Sequence, residues 1–226
     1  MSKVLVSFSG GMDSTTLLAE ALDQGHDVEA VGFYYGSKHN PHENTAARSL
    51  ASNYFKVPFI LLDVAPVMSH LRSALTSLDQ EVPEGHYEAE NMRKTVVPGR
   101  NLIFLSLLAA HAESTGLDEV WLGIHAGDHH IYPDCRPEFF YPAKETVEAS
   151  SDKKVTLRAP FLNMDKTKII ALGRKLGVPY SLTRTCYKDS VLACGRCGSC
   201  QERLTAFAAN GIEDPLSYES RSLILG

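Results

Sequence analysis

Residues 3–8 form a short apolar run, Lys-Val-Leu-Val-Ser-Phe. It breaks into Ser9-Gly10-Gly11-Met12-Asp13-Ser14, and Thr15 to Leu22 continues as a helical stretch. A strand that passes through glycines straight into a helix opens a β–turn–α unit. Gly25 closes that helix, Val28 to Tyr35 reads as a second strand, Asn44 to Phe55 has helical composition ending before Pro58, and Phe59 to Asp63 is a third strand. Strands separated by helices require right-handed crossovers and a parallel sheet covered on both faces. The expected fold class is α/β, a doubly wound, Rossmann-like parallel sheet.

The pattern continues downstream. Val67 to Leu78 reads as helical, 79–97 as a long loop, and Arg100 to Ser114 as an apolar, buried helix closed by Gly116. Val120 to Ile124 is a fourth strand, followed by a polar, histidine-rich connection over 125–136 and a helix over 138–149. Val155 to Phe161 is expected as a fifth strand, Asp165 to Leu176 as a helix with Asp165 as its N-cap, and 201–209 as a last helix before a polar tail. A length of 226 residues suits one domain with an appendage. No run approaches the ~18 apolar residues of a membrane helix, and the chain starts directly in a strand without signal-peptide architecture. A net charge of −5 argues against bulk nucleic-acid binding. These features predict a soluble cytoplasmic protein with no membrane partner.

The Gly-rich turn is a candidate anion site. At a strand-to-helix junction the first helical amides and the helix dipole favour negative charge. Gly10 and Gly11 let the backbone approach phosphate oxygens, and Ser9 and Ser14 add hydroxyls. Asp13 would repel phosphate, so it should hold Mg²⁺ or orient the loop. A merely tight turn is the plainer reading of two glycines alone. No Gly-Lys-Ser/Thr follows, which excludes the common lysine-bearing phosphate loop, and the Gly-x-Gly dinucleotide fingerprint is absent.

Four of the five cysteines form Cys186-x7-Cys194-x2-Cys197-x2-Cys200. Two short Cys-x2-Cys steps bring thiolates onto one ion, and four sulfurs suit a closed, structural Zn²⁺ site. An iron–sulfur cluster, a redox pair, or a nucleic-acid knuckle using Arg184, Lys188, Arg196 and Arg203 are the competing readings. The fifth thiol, Cys135, reads either as a nucleophile or as a packed group beside substrate. It sits in His125-Ala-Gly-Asp128-His-His-Ile-Tyr132-Pro-Asp134-Cys135-Arg136-Pro-Glu138-Phe139, beyond the fourth strand, where open parallel sheets bind ligands. Adjacent His129 and His130 do not converge naturally, so a second metal site with His125 is not expected. Arg100 at a helix start suits a bidentate anion contact or a surface ion pair. Lys166 at another helix start is electrostatically misplaced unless it meets an anion.

The Ser-Gly-Gly-x-Asp-Ser string resembles the pyrophosphate loop of the PP-loop ATP pyrophosphatases. Together with Tyr35-Gly36 and His39, Val97-Pro-Gly-Arg-Asn101, Tyr132-Pro-Asp-Cys-Arg136, Asp165-Lys166 and Thr185-Cys-Tyr187, it resembles the QueC family over about residues 3–218. The resemblance implies an adenine-nucleotide α-hydrolase-like domain over 1–183 and a small zinc-binding module over 184–226. It implies an ATP-dependent ligase that adenylates 7-carboxy-7-deazaguanine, lets ammonia displace AMP to give an amide, and activates the amide with a second ATP to leave the nitrile. Phe8, Ser9, Gly10, Gly11, Met12, Asp13, Ser14, Thr15, Thr16, Leu17 and Leu18 would hold ATP. Asp13, Arg100 and Lys166 would be catalytic. Asp128, Tyr132, Asp134, Arg136 and Glu138 would form the deazaguanine pocket, and Cys186, Cys194, Cys197 and Cys200 would hold one zinc per chain. ATP and Mg²⁺ would be required, and a homodimer is implied. An enzyme that stops at the amide or uses another amine, a tRNA sulfurtransferase, and a non-catalytic binding module remain the alternatives.

Overall fold

The computed structural model describes residues 1–152 and 154–223. The end of the expected tail, 224–226, lies outside the described residues. Five parallel strands make one sheet in the order β3-β2-β1-β4-β5. They are β1 (Lys3–Ser7), β2 (Asp27–Tyr34), β3 (Phe59–Asp63), β4 (Glu119–Trp121) and β5 (Thr156–Arg158). β1 is central and pairs with β2 on one side and β4 on the other. Its pleat divides the core. Val4 and Val6 pack with Leu17, Leu18, Ala47 and Leu50, whereas Leu5 packs with Leu105, Leu108 and Ala112. This two-sided burial explains the near-continuous apolar run of β1.

The helices are α1 (Met12–Asp23), α2 (Asn40–Ser49), α3 (Ala65–Met68), α4 (Arg100–Thr115), α5 (Pro137–Ser150), α6 (Lys166–Lys175) and α7 (Gly198–Ala209). A π-helical turn, Leu50–Phe55, extends α2. α1 packs on α6, which packs on α7; α4 and α5 cover the other face. No helix among the described residues is long and apolar enough to cross a membrane.

Three local expectations change. The helix expected over 67–78 survives only as α3. Beyond it, the Ser73 hydroxyl takes the Leu75 amide and donates to the Lys94 carbonyl, and the Ala74 amide bonds Lys94 O at 2.8 Å. Side-chain bonds of this kind compete with helix continuation. The stretch 79–97 is more ordered than a bare loop. It contains a 3-10 turn, Glu90–Thr95, buries Val82, Tyr87 and Met92, and bridges Glu84 to Cys197. α4 buries only the stripe Leu105, Leu108 and Ala112, while Leu102 is 52% exposed.

Candidate active site

The carboxyl ends of β1, β2 and β4 open into a cavity of about 220 Å³. Its floor is the Gly-rich turn. The Ser14 hydroxyl accepts the Ser9 amide at 3.2 Å and donates to Gly11 O at 3.3 Å, and Ser9 Oγ accepts the Gly11 amide at 3.2 Å. No side chain caps α1 at Gly11, so the first helical amides are open to an anion. Gly10 has φ +78°, and a Cβ there would lie 2.5 Å from the Ala47 amide nitrogen on α2. Gly10→Ala is therefore expected to lose at least about 1–2 kcal/mol from the left-handed backbone alone, with further loss from the clash. A melting curve unchanged from wild type would refute this.

Phe8, Ser9, Gly11, Asp13 and Ser14 line the cavity. The structure turns the other loop and helix positions elsewhere. Thr15 and Thr16 bond back to Gly11 O and Met12 O at 2.7 and 2.8 Å, and Met12, Leu17 and Leu18 are fully buried in the core.

One wall is an acid–base cluster. Lys166 Nζ lies 2.6 Å from Glu202 and 3.3 Å from Asp13 Oδ2. Burial alone would push the Lys166 ammonium towards neutrality, but Asp13, Glu202 and Asp128 outweigh it and raise its pKa. His125 Nδ1 accepts the Gly127 amide at 3.1 Å, so its proton resides on Nε2, 3.5 Å from Asp128 and 3.7 Å from Asp13. Asp128 also accepts the Tyr87 hydroxyl at 2.7 Å. Burial would raise its pKa, yet His125, Lys166 and Tyr87 hold it below its ordinary value. Asp13 Oδ1 is buried without a partner. A spare carboxylate oxygen beside an anion-binding turn is the chemistry a divalent cation requires.

The opposite wall is aromatic and cationic. The Arg100 guanidinium lies 5.9 Å from the ring centres of both Tyr35 and Tyr132. Tyr132 is held by Thr95 at 2.7 Å and Tyr187 at 3.2 Å. Phe33 stacks on Phe104 with centroids 3.9 Å apart. This is a flat, hydrogen-bonding lining suited to a planar heterocycle.

The chain's similarity to known proteins decides between the families that share such a turn. The family model described as queuosine biosynthesis protein QueC matches residues 3–211. This chain belongs to the QueC family. It is 48% identical over 216 residues to a 7-cyano-7-deazaguanine synthase of Marinobacter nauticus, covering 96% of this chain and 97% of that one. A 7-cyano-7-deazaguanine synthase of Caldicellulosiruptor saccharolyticus is 44% identical over 96% of both chains. Among solved structures, the NMN synthetase of Francisella tularensis superposes with TM-score 0.54 at 16% identity, covering 94% of this chain and 78% of that one. The U34-tRNA thiolase of Methanococcus maripaludis gives 0.51 at 16% identity, over 83% and 61%. These two show a shared fold, in keeping with the doubly wound sheet.

Within this QueC-family site, Asp13, Arg100, Lys166, Asp128 and Tyr132 all line the one cavity. Asp134, Arg136 and Glu138 are placed outside its lining. Asp134 accepts the Asn101 amide at 2.9 Å and so anchors the start of α4. Arg136 donates to the carbonyls of His129 and His130 at 2.7 and 3.4 Å, and Glu138 lies exposed in the first turn of α5. Cys135 lines the cavity but accepts Asn101 Nδ2 at 3.1 Å, and burial pushes its thiol well up. A protonated thiol is a poor nucleophile.

Sequence reasoning missed Glu202, Tyr87 and Glu43, although His39, which Glu43 faces, was named in the Tyr35-Gly36 string. Only Glu43 had a local signal, a histidine and a glutamate four apart at a helix start.

The four clustered sulfurs lie within 4.8 Å of one another and all four cysteines are buried. A tetrahedral metal with bonds of about 2.3 Å sets its ligand sulfurs about 3.8 Å apart, and Cys194 and Cys200 stand at 4.0 Å. The amides of Lys188 and Cys194 point at Cys186 Sγ, and those of Arg196 and Cys197 at Cys194 Sγ, at 3.3 to 3.4 Å. Such amides stabilise thiolates, so the donor set fits a metal. The cluster is joined to the site. Cys197 immediately precedes α7, whose Glu202 meets Lys166, and Ser199, Thr185, Arg184 and Tyr187 line the cavity.

Proposed function

We propose that this chain converts 7-carboxy-7-deazaguanine to 7-cyano-7-deazaguanine with ATP and ammonia, in queuosine biosynthesis. The observation that carries the reading is that the open α1 amides and the aromatic wall of Tyr35, Tyr132 and Phe104 face one cavity. That arrangement would set a nucleotide phosphate against a planar acid. A carboxylate is a poor electrophile, and adenylation gives it a leaving group. The loop amides and Lys166 would stabilise charge on the departing pyrophosphate, and Arg100 would hold the carboxylate or the acyl-adenylate. Asp128 would accept hydrogen bonds from the guanine-like edge, with Tyr132 beneath the ring.

Mg²⁺ is the expected counter-ion of ATP, held by Asp13. Cys186, Cys194, Cys197 and Cys200 would hold one structural Zn²⁺, making 184–226 a metal-organised module on a 1–183 nucleotide domain. We further propose a cytoplasmic homodimer. Incubation with the acid, ATP and ammonia should give an amide that then loses the mass of one water. An amide that persists with ATP in excess would leave the amide-forming ligase as the correct reading. AMP release only in the presence of tRNA would point to sulfur transfer.

A further inference from the structure

Resting on this reading, we infer that Glu43 is the base that takes the proton from the attacking nitrogen when ammonia displaces AMP. Glu43 stands in the first turn of α2 and lines the cavity beside the Gly-rich turn. Of the carboxylates lining the cavity among the described residues, Asp13 is opposed by Lys166 and Asp128 is held by Tyr87 and His125. Glu43 faces instead His39 Nε2 at 3.5 Å, and that nitrogen also meets the Tyr35 hydroxyl at 3.2 Å. His39 is 5% exposed and lines the cavity, and its Nδ1 is buried without a partner. A small nitrogen ligand at this wall would find both a carboxylate and an unpaired polar atom.

The groups around Glu43 agree with the role. Burial pushes its carboxyl up to about 7, against the opposing pull of Arg100, the Ser9 hydroxyl and Arg184. Burial, Arg100 and Arg184 push His39 down to about 3, so the imidazole is neutral and does not clamp the carboxylate. Tyr35 stays a phenol because burial raises its pKa. A base that titrates near the working pH is the effective one. In the step, the ammonia lone pair forms the C–N bond and the carbonyl electron pair moves to oxygen. Glu43 takes one proton from the new C–NH₃⁺. As the carbonyl re-forms, the bond to the AMP oxygen breaks and AMP leaves with the electron pair. Glu43 then returns its proton to water.

The test is Glu43→Gln with three readouts. Acid-dependent exchange of pyrophosphate into ATP reports adenylation alone and should remain within about threefold of wild type. Amide formation from ammonia should fall about 10²–10³-fold. Hydroxylamine, largely unprotonated and less demanding of a base, should still trap the acyl-adenylate as hydroxamate at close to the wild-type rate. In the wild type, the amide-forming rate measured at constant unprotonated ammonia should have its acid limb near pH 7, and Glu43→Asp should restore part of the rate. The buried carboxyl has a folded pKa above its unfolded value, so its ionisation lowers stability as pH rises through that interval. Glu43→Gln should therefore melt no lower than wild type at pH 8.

Equal losses of exchange and amide formation would overturn the assignment, as would an unchanged amide rate. Absence of acid-dependent exchange in the wild type would instead overturn the proposed function beneath it.

Discussion

Asp13→Asn should yield a folded protein whose turnover is down about 10²–10³-fold, equivalent to about 2.7–4 kcal/mol of transition-state stabilisation. The substitution keeps the shape and removes one negative charge. Lys166 loses its 3.3 Å partner but keeps Glu202 at 2.6 Å, so its ammonium stays paired and the wall stands. What disappears is the charged oxygen pair at the head of α1, including the unpartnered Oδ1 that we assign to Mg²⁺. Steady-state kinetics with a melting curve would check this. Turnover within about threefold of wild type would remove Asp13 from the catalytic group, and a collapsed melting curve would make it structural.

Cys197→Ser should do the opposite, losing the fold along with the function. Cys197 is fully buried, shares the sulfur cluster, pairs through the Glu84 bridge, and stands at the start of α7. Removing one thiolate of a closed four-sulfur shell should release the metal. Because metal binding of this kind is folding free energy, several kcal/mol should go with it, or about ten degrees in Tm for a domain this size. Metal analysis should find one zinc per wild-type chain and far less in the variant. Full metal content together with an unchanged Tm would show that the cysteines pack without a structural metal. Iron in place of zinc would favour the cluster alternative.

The parts of this architecture that were legible in the sequence are those fixed by neighbours in the chain. β1 and its Gly-rich turn, and the spacing Cys186-x7-Cys194-x2-Cys197-x2-Cys200, carry their chemistry locally. Asp165 also accepts the Lys168 amide at 2.8 Å, the N-cap expected of it. The illegible parts depend on distant partners. Nothing near Glu202 announces that Lys166 will lie 2.6 Å away. Tyr87 sits in a stretch of polar residues and turns, yet it is buried against Asp128. Lys166 looked misplaced at a helix start because the carboxylates that neutralise it, Asp13 and Glu202, come from α1 and α7.

That last arrangement governs when the site can exist at all. Asp13, Lys166 and Glu202 belong to the first, sixth and seventh helices, and the contact is completed by an element anchored through the buried Arg203–Asp214 pair at 2.7 Å. The α7 arm of this contact starts at the sulfur cluster and depends on it, whereas among the described residues no strand of the sheet comes from that part of the chain. The central strands can therefore be in place while the enzyme is still inert. In mild denaturant or chelator, activity should be the first signal to fade and the sheet the last.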